Sequence, residues 1–284
     1  KVDDQENPSI PINPVADVYA QMVQDLNDAV NLRPDDDVTT NNFPTERIRP
    51  NKWTAAALLA RVYLYMKDWK DAEIQSFSVI KSGMYQLKSD LNNVVLSTSK
   101  EAIFQLLPVS INTNSAEAQT FLTLFFFQHP AFNLTPDLLN AFEPNDLRMT
   151  NWVGTKIAPT YTYIFPFKYK IAAGSPPVEY NTVLRFAEQY LIRAEARAQQ
   201  GDTSGAKADL NQIRQRAGLS NDMSLSQEDL LTAIDHENRI EFFSEWGHRW
   251  FDLKRTGKID AVLSITKPSW QPNEALWPIP IQEI

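Results

Sequence analysis

One helical pattern occurs twice in this 284-residue chain, and it limits the folds available more than any other feature. In the first copy, Ala56, Leu59, Ala60 and Tyr63 share one face of a helix expected from about Lys52 to Met66. Lys67-Asp68-Trp69 then turns the chain. Trp69, Ala72, Ser76 and Ile80 line a return helix that stops at Gly83, a natural helix-ending residue. In the second copy, Leu184, Ala187, Leu191, Ala194 and Ala198 mark a helix over 181–198. Gly201-Asp202-Thr203 makes the turn, and Ala206, Leu210, Ile213 and Ala217 run back to Gly218. Ala60 matches Ala194, Leu64 matches Ala198, Asp68 matches Asp202 and Ala72 matches Ala206, all at one offset. Small side chains at such crossings let two helix axes approach closely.

A two-helix unit of this kind resembles the tetratricopeptide repeat of ~34 residues. The expected fold class is therefore mainly α: TPR-like helical hairpins forming an α-solenoid core, with a loop-rich, aromatic-rich insertion. The copies are not in tandem. A stretch over about 84–180, poor in helical period, separates them. Function is expected there, because loops on a rigid scaffold carry most binding residues. One domain over 1–284 is expected, with helix pairs at 15–83 and 181–218 and a C-terminal helical and extended segment at 226–284. Residues 1–14 read as an arm. Asn13-Pro14 reads as the start of a helix carrying Val15, Val18, Met22, Leu26 and Ala29 on one face. Asp35–Asp37 and Asn41–Asn42 read as a solvated turn.

Composition removes several function classes. Asp and Glu (35) outnumber Lys and Arg (27), giving a net charge of −8. No basic stripe exists to neutralise phosphates, so nucleic acid is not an expected partner. There is no cysteine, hence no disulfide and no thiolate site. The three histidines, His129, His236 and His248, lack zinc-ligand spacing and read as structural or surface residues. The longest apolar run, Phe121–Phe127, is far short of the roughly 20 residues that cross a bilayer. With only eight glycines, no phosphate loop, nucleotide fingerprint or nucleophile elbow is present. No cofactor, metal or catalytic residue is expected.

The densest chemistry lies between Asp235 and Asp260. Glu237, Glu241 and Glu245 fall four apart and read as one column on a helix, with Arg249 at its end. Carboxyls about 5–6 Å apart would suit a retaining glycosidase. Two groups on one helix face cannot flank a sugar, however, and their neighbours Phe242, Phe243, Trp246, Trp250 and Phe251 favour burial. The better expectation is a buried ion network in which basic side chains from elsewhere meet the column.

The same run, RIEFFSEWGHRWFDLKR from Arg239 to Arg255, resembles the signature near the C-terminus of the SusD/RagB family. Leu276–Pro280 (LWPIP) resembles the end of that family, and Asp146-x-Arg148 and Lys168-Tyr169 resemble two of its structural pairs. The resemblance implies a cell-surface lipoprotein that captures nutrient oligomers and hands them to a SusC-like TonB-dependent transporter in the outer membrane. It implies that this chain is the middle and C-terminal part of such a protein, with signal peptide, lipid-modified cysteine and further helices preceding it. The membrane would then be reached only through that lipid anchor. The resemblance also implies that Asp235–Asp260 is structural, lying away from the ligand, and that Trp277 packs in the core.

Binding residues are expected in the insertion and the C-terminal loops. A pyranose has an apolar face that stacks on aromatic rings, and its hydroxyls want polar side chains at the rim. Tyr161 and Tyr163 lie two apart and would share a strand face. Trp152 and Trp270 sit in loop-like sequence. The candidates are Trp152, Tyr161 and Tyr163, followed by Phe132, Asn133 and Trp270. The expected function is non-catalytic binding of an oligosaccharide or polysaccharide, with peptide as a second ligand class. The alternative is an intracellular TPR-type scaffold that holds a protein partner in its concave groove.

Overall fold

The structure, a computed structural model, describes residues 13–32, 47–110, 112–123 and 128–278. The expected arm over 1–12, the Asp35–Asp37 and Asn41–Asn42 turn, part of the Phe121–Phe127 run and the last residues, 279–284, lie outside these.

In chain order the elements begin with helices α1 (Val15–Leu32), α2 (Lys52–Met66) and α3 (Trp69–Lys81), followed by strand β1 (Ala102–Leu106). Three short helices come next, α4 (Ala116–Phe121), α5 (Pro136–Leu139) and α6 (Leu147–Trp152). Strands β2 (Val153–Ile157), β3 (Thr162–Pro166) and β4 (Asn181–Arg185) lead into α7 (Phe186–Gln199) and α8 (Thr203–Arg216). The chain closes with α9 (Gln227–Glu241), α10 (His248–Arg255) and α11 (Ile259–Thr266). Helices dominate, as the repeat pattern requires.

The two hairpins repeat down to their caps. The Asp68 carboxylate accepts from the Asp71 amide and starts α3; the Asp202 carboxylate accepts from the Gly205 amide and starts α8. Such a cap contributes about 1 kcal/mol each time. Both turns need one left-handed residue before the cap. Gly201 takes it freely at φ 86°, whereas Lys67 adopts it at φ 61°. Ala60, Ala72, Ala194, Ala198 and Ala206 are all inaccessible to solvent, so the matched small residues are where the helices meet. The pairs also stack on each other through charge: Arg61 of α2 holds Glu188 of α7 at 2.5 Å, and Arg197 of α7 holds Glu73 of α3 at 2.8 Å.

The structure departs from expectation at both ends of the repeats. Residues 181–185 are strand rather than helix. The run Thr182-Val183 favours extended backbone, and β4 pairs antiparallel with β1, Gln105 opposite Thr182. Leu184 is still buried, but from the strand. In α1 the first accepting carbonyl belongs to Pro14, one residue later than expected. Its inner face is Val23, Leu26 and Val30, partly buried against the cores that α2 helps build, while Val15, Val18 and Met22 stay exposed.

Between the hairpins, β2 and β3 form an antiparallel hairpin in continuous register from Val153 opposite Pro166 to Ile157 opposite Thr162. Gly154 leaves room for its cross-strand neighbour there: a Cβ on it would lie 2.6 Å from the Phe165 ring, which would have to shift. A separate small core of Leu91, Val94, Val95, Trp152, Tyr169 and Phe243 ties this region to the end of α9.

Candidate functional site

The acidic column is met by base, as expected, but in a different geometry. α9 ends at Glu241, and Ser244, Trp246 and Gly247 take left-handed backbone conformations that turn the chain. Glu245 therefore reaches the cluster from the turn. Arg148 of α6 bridges Glu237 at 2.5 Å, Glu241 at 3.2 Å and Asp146 at 2.8 Å. Arg185, at the end of β4, reaches Glu101 and Glu241 at 2.8 Å and Glu245 at 2.9 Å. Arg216 of α8 joins Glu101 at 2.7 Å and Glu241 at 2.5 Å. Lys168 contacts Glu245 at 2.5 Å and stands 4.2 Å over the Phe243 ring.

These charges set one another's ionisation. Burial alone would raise the Glu241 carboxyl, yet Arg216, Arg185 and Arg148 hold it well below the usual carboxylate range. At Glu237 burial wins over Arg148, and the group is raised. Burial lowers Lys168 to about 8 despite Glu245. Glu237 and Glu241 are fully buried and saturated by arginines, so no sugar reaches them. The cluster ties α6, β4, α8 and α9 together and is structural. Arg249 and Arg239 stand apart from it. Among the described residues each makes a peripheral pair, with Asp235 and Asp137 respectively.

The aromatic candidates divide. Tyr161, just before β3, and Tyr163 within it lie side by side. Their rings meet edge to face at 4.8 Å, and His129 stacks on Tyr163 at 4.8 Å with only 10° between planes. Asn133 accepts the Ile164 amide at 3.1 Å through its side chain, and the Leu134 amide donates to the Ile164 carbonyl at 2.7 Å. This fixes the 132–134 segment against β3. Phe132, 54% exposed, packs edge to face on Phe121 of α4 at 6.0 Å. Asn133 thus builds the site through its backbone partner.

Beside this group lies an open cleft of about 510 Å³, lined by Gln119, Thr120, Thr123, Gln128 and His129. Lys156, opposite Tyr163 in the sheet, donates to the Gln128 carbonyl and to the Thr123 hydroxyl at 3.3 Å. The cleft therefore offers amide and hydroxyl groups next to aromatic faces. Sequence reasoning passed over Gln119, Thr120, Thr123 and Lys156, since single polar residues carry no pattern. His129 read as a structural or surface residue; its stacking on Tyr163 distinguishes it.

Trp152 and Trp270 are not with them. Trp152 is 1% exposed, its indole donates to the Leu91 carbonyl at 2.9 Å, and Lys168 stands 4.6 Å from the ring. It is a core residue with no face for a ligand, which corrects the expectation that loop-like sequence would leave it exposed. Trp270 is 9% exposed and donates to Asp260 at 2.9 Å in the C-terminal cluster. Trp277, expected in the core, is 86% exposed.

Among the described residues, no group of histidine, aspartate and glutamate side chains could hold a metal ion, and no helix is long and apolar enough to cross a membrane.

Known proteins share this fold. Residues 158–284 match the model of the SusD family. A SusD-like protein of Bacteroides ovatus is 24% identical over 304 residues, covering 87% of this chain and 52% of the relative. The chain thus spans about half the length of that relative. Among solved structures, surface glycan-binding protein A from Bacteroides uniformis superposes with a TM-score of 0.75 at 20% identity, over 97% of this chain and 68% of the other. A laminarin binding SusD-like protein superposes with a TM-score of 0.75 at 24% identity, over 99% of this chain and 70% of the other. At such identities the superpositions establish the fold alone: the described chain has a SusD-like fold, and its residues 158–284 match the SusD family model.

Proposed function

We propose that this chain binds a glycan, without turning it over, at the cleft between α4 and the β2–β3 hairpin. One observation carries the reading: the stacked His129–Tyr163 pair, with Tyr161 edge-on beside it, borders a cleft lined by Gln119, Thr120, Thr123 and Gln128. Aromatic faces take the C–H face of a pyranose, and the amides and hydroxyls exchange hydrogen bonds with its hydroxyl groups. A cleft of this size falls in the range of small-ligand sites. Glycan binding by proteins of the same fold supports the ligand class.

The site is open, so it covers little of its ligand, and affinity is weak. That suits a protein that captures a polymer and releases it. We place the full-length protein on the extracellular face of the outer membrane, lipid-anchored, passing its ligand to a SusC-like TonB-dependent transporter.

The test is calorimetric titration against a panel of soluble polysaccharides that includes laminarin. Saturable binding with no release of reducing ends, lost in Tyr163→Ala, is expected. Binding that survives Tyr163→Ala and Tyr161→Ala would place the ligand elsewhere.

A further inference from the structure

A second aromatic cleft lies in the C-terminal segment, away from the His129–Tyr163 pair. It measures about 740 Å³ and is walled by Trp250 and Phe251 of α10 together with Trp270 and Trp277. Lys267 and Glu274 stand on its rim. Trp250 and Trp270 meet edge to face at 6.1 Å, and Asp260 holds the Trp270 indole from behind. The ring edges and one wall are thereby fixed. Trp277 is different: it is 86% exposed and has no hydrogen-bond or ring partner among the described residues. Leu276 beside it is also exposed. Phe251 continues the surface into a smaller cleft of about 210 Å³ with Tyr65 and Trp246. Tyr65 and Phe251 lie 6.4 Å apart across that join.

A contiguous exposed aromatic surface of this kind on a folded protein marks a binding site. Its chemistry selects the ligand. Phe251 and Trp277 present the exposed ring surface of the cleft, and Trp246 and Tyr65 continue it beyond Phe251. The rim carries one cation and one carboxylate, Lys267 and Glu274, so it favours neither sign of charge and supplies both donors and acceptors. A chain of neutral hexoses meets both conditions, each sugar laying an apolar face on a ring and turning its hydroxyls to the rim.

We propose that this C-terminal cleft is a second subsite for a neutral oligosaccharide, with the exposed Trp277 as one wall and Trp250 and Phe251 as the other. The proposal rests on the reading of the chain as a glycan binder. Two subsites on one chain hold a polymer by avidity, since the second contact is made at high effective concentration. Each subsite stays weak enough to release its ligand.

The experiment is isothermal titration of the whole chain, its Tyr163→Ala variant and its Trp277→Ala variant. The probes are laminarihexaose, cellohexaose, maltohexaose and xylohexaose, followed by the polymer of whichever probe binds. Two sites per chain are expected for the unmodified protein and one for each variant. Affinity for the polymer should fall at least ~10-fold in either variant. Indole fluorescence should respond to the hexaose in Tyr163→Ala but not in Trp277→Ala. A single site, lost in Tyr163→Ala and unchanged in Trp277→Ala, overturns the second subsite and leaves the first intact. A single site lost only in Trp277→Ala supports the C-terminal cleft and sinks the first. No binding of any probe overturns both. A concentration-dependent dimer that Trp277→Ala dissolves also overturns the second subsite, because the aromatic face would then be filled by another copy of the chain.

Discussion

Arg185 and Glu241 meet at 2.8 Å where neither reaches solvent, one at the end of β4 and the other in the last turn of α9. The pair links the insertion's sheet to the final helices, and Arg148 and Arg216 crowd the same carboxylate. A charge left alone in such a place is costly, and breaking a buried pair from one side typically loses 3–5 kcal/mol. Glu241→Gln should therefore lower unfolding free energy by about 3–5 kcal/mol in urea titrations. Arg239→Ala, which removes a surface pair with Asp137, should cost less than about 1 kcal/mol. Equal effects from the two would contradict the assignment of the cluster as the structural centre.

Acid should destabilise the protein through His248. Burial, opposed by Glu188, brings its imidazole down to about 4 in the folded state, with its ring stacked on Phe242 at 4.5 Å. The unfolded chain takes up this proton near 6.5. Between those values the unfolded state binds more protons, so stability falls as pH drops from about 6.5 to 4. The ring borders a small open cleft, so a loss of about 2 kcal/mol is expected rather than the full shift. Asp252 acts oppositely: burial raises it to about 6, and its protonation below that adds stability. Thermal melts of His248→Gln across this range should show a shallower acid limb than the unmodified chain. An identical limb would remove His248 from the account.

Tyr163 and Trp152 should separate binding from stability. Tyr163→Ala removes the face on which His129 stacks and should weaken glycan binding by ~10-fold or more, the value of about 1.4 kcal/mol, with melting nearly unchanged. Trp152→Ala opens a cavity between Leu91 and Phe243 and should cost about 3–5 kcal/mol. Its fluorescence should be insensitive to ligand, because the ring has no free face. A ligand-induced spectral change confined to Trp152 would show that the core is accessible after all.

The β2–β3 hairpin should be sensitive at Gly154. A methyl there lies 2.6 Å from Phe165, so the two strands must separate or the ring must move. Overpacking of this kind costs about 1–3 kcal/mol. Gly154→Ala should lower glycan affinity while helical circular dichroism stays the same, because the clash it creates is with Phe165 of the facing strand. Unaltered affinity would mean that the hairpin geometry does not position Tyr161 and Tyr163.

How far the sequence could be read depended on the range of the interactions involved. The helical hairpins were legible because their signals are local: Asp68 and Asp202 cap, Gly83 and Gly218 stop, and alanines recur at the crossings. The acidic column was legible as needing base. Which bases answered it was not, since Arg148, Arg185 and Arg216 come from three other elements. The strand at 181–185 was misread as helix because its partner, β1, lies far away in the chain. Single aromatic residues were the least legible. Trp152 and Tyr161 look alike in loop-like sequence, yet one is sealed behind Lys168 and the other is 54% exposed.

By itself, then, the amino-acid sequence determined an α-helical, TPR-like scaffold and a buried charge centre. These follow from periodicity, capping and charge, which act between near neighbours or over the whole composition. Tertiary structure alone decided which aromatic rings face solvent and which polar groups stand beside them. Burial belongs to the packing of distant segments: Asn133 onto β3, His129 onto Tyr163, Leu91 over Trp152. No periodicity within one segment records what another segment will cover.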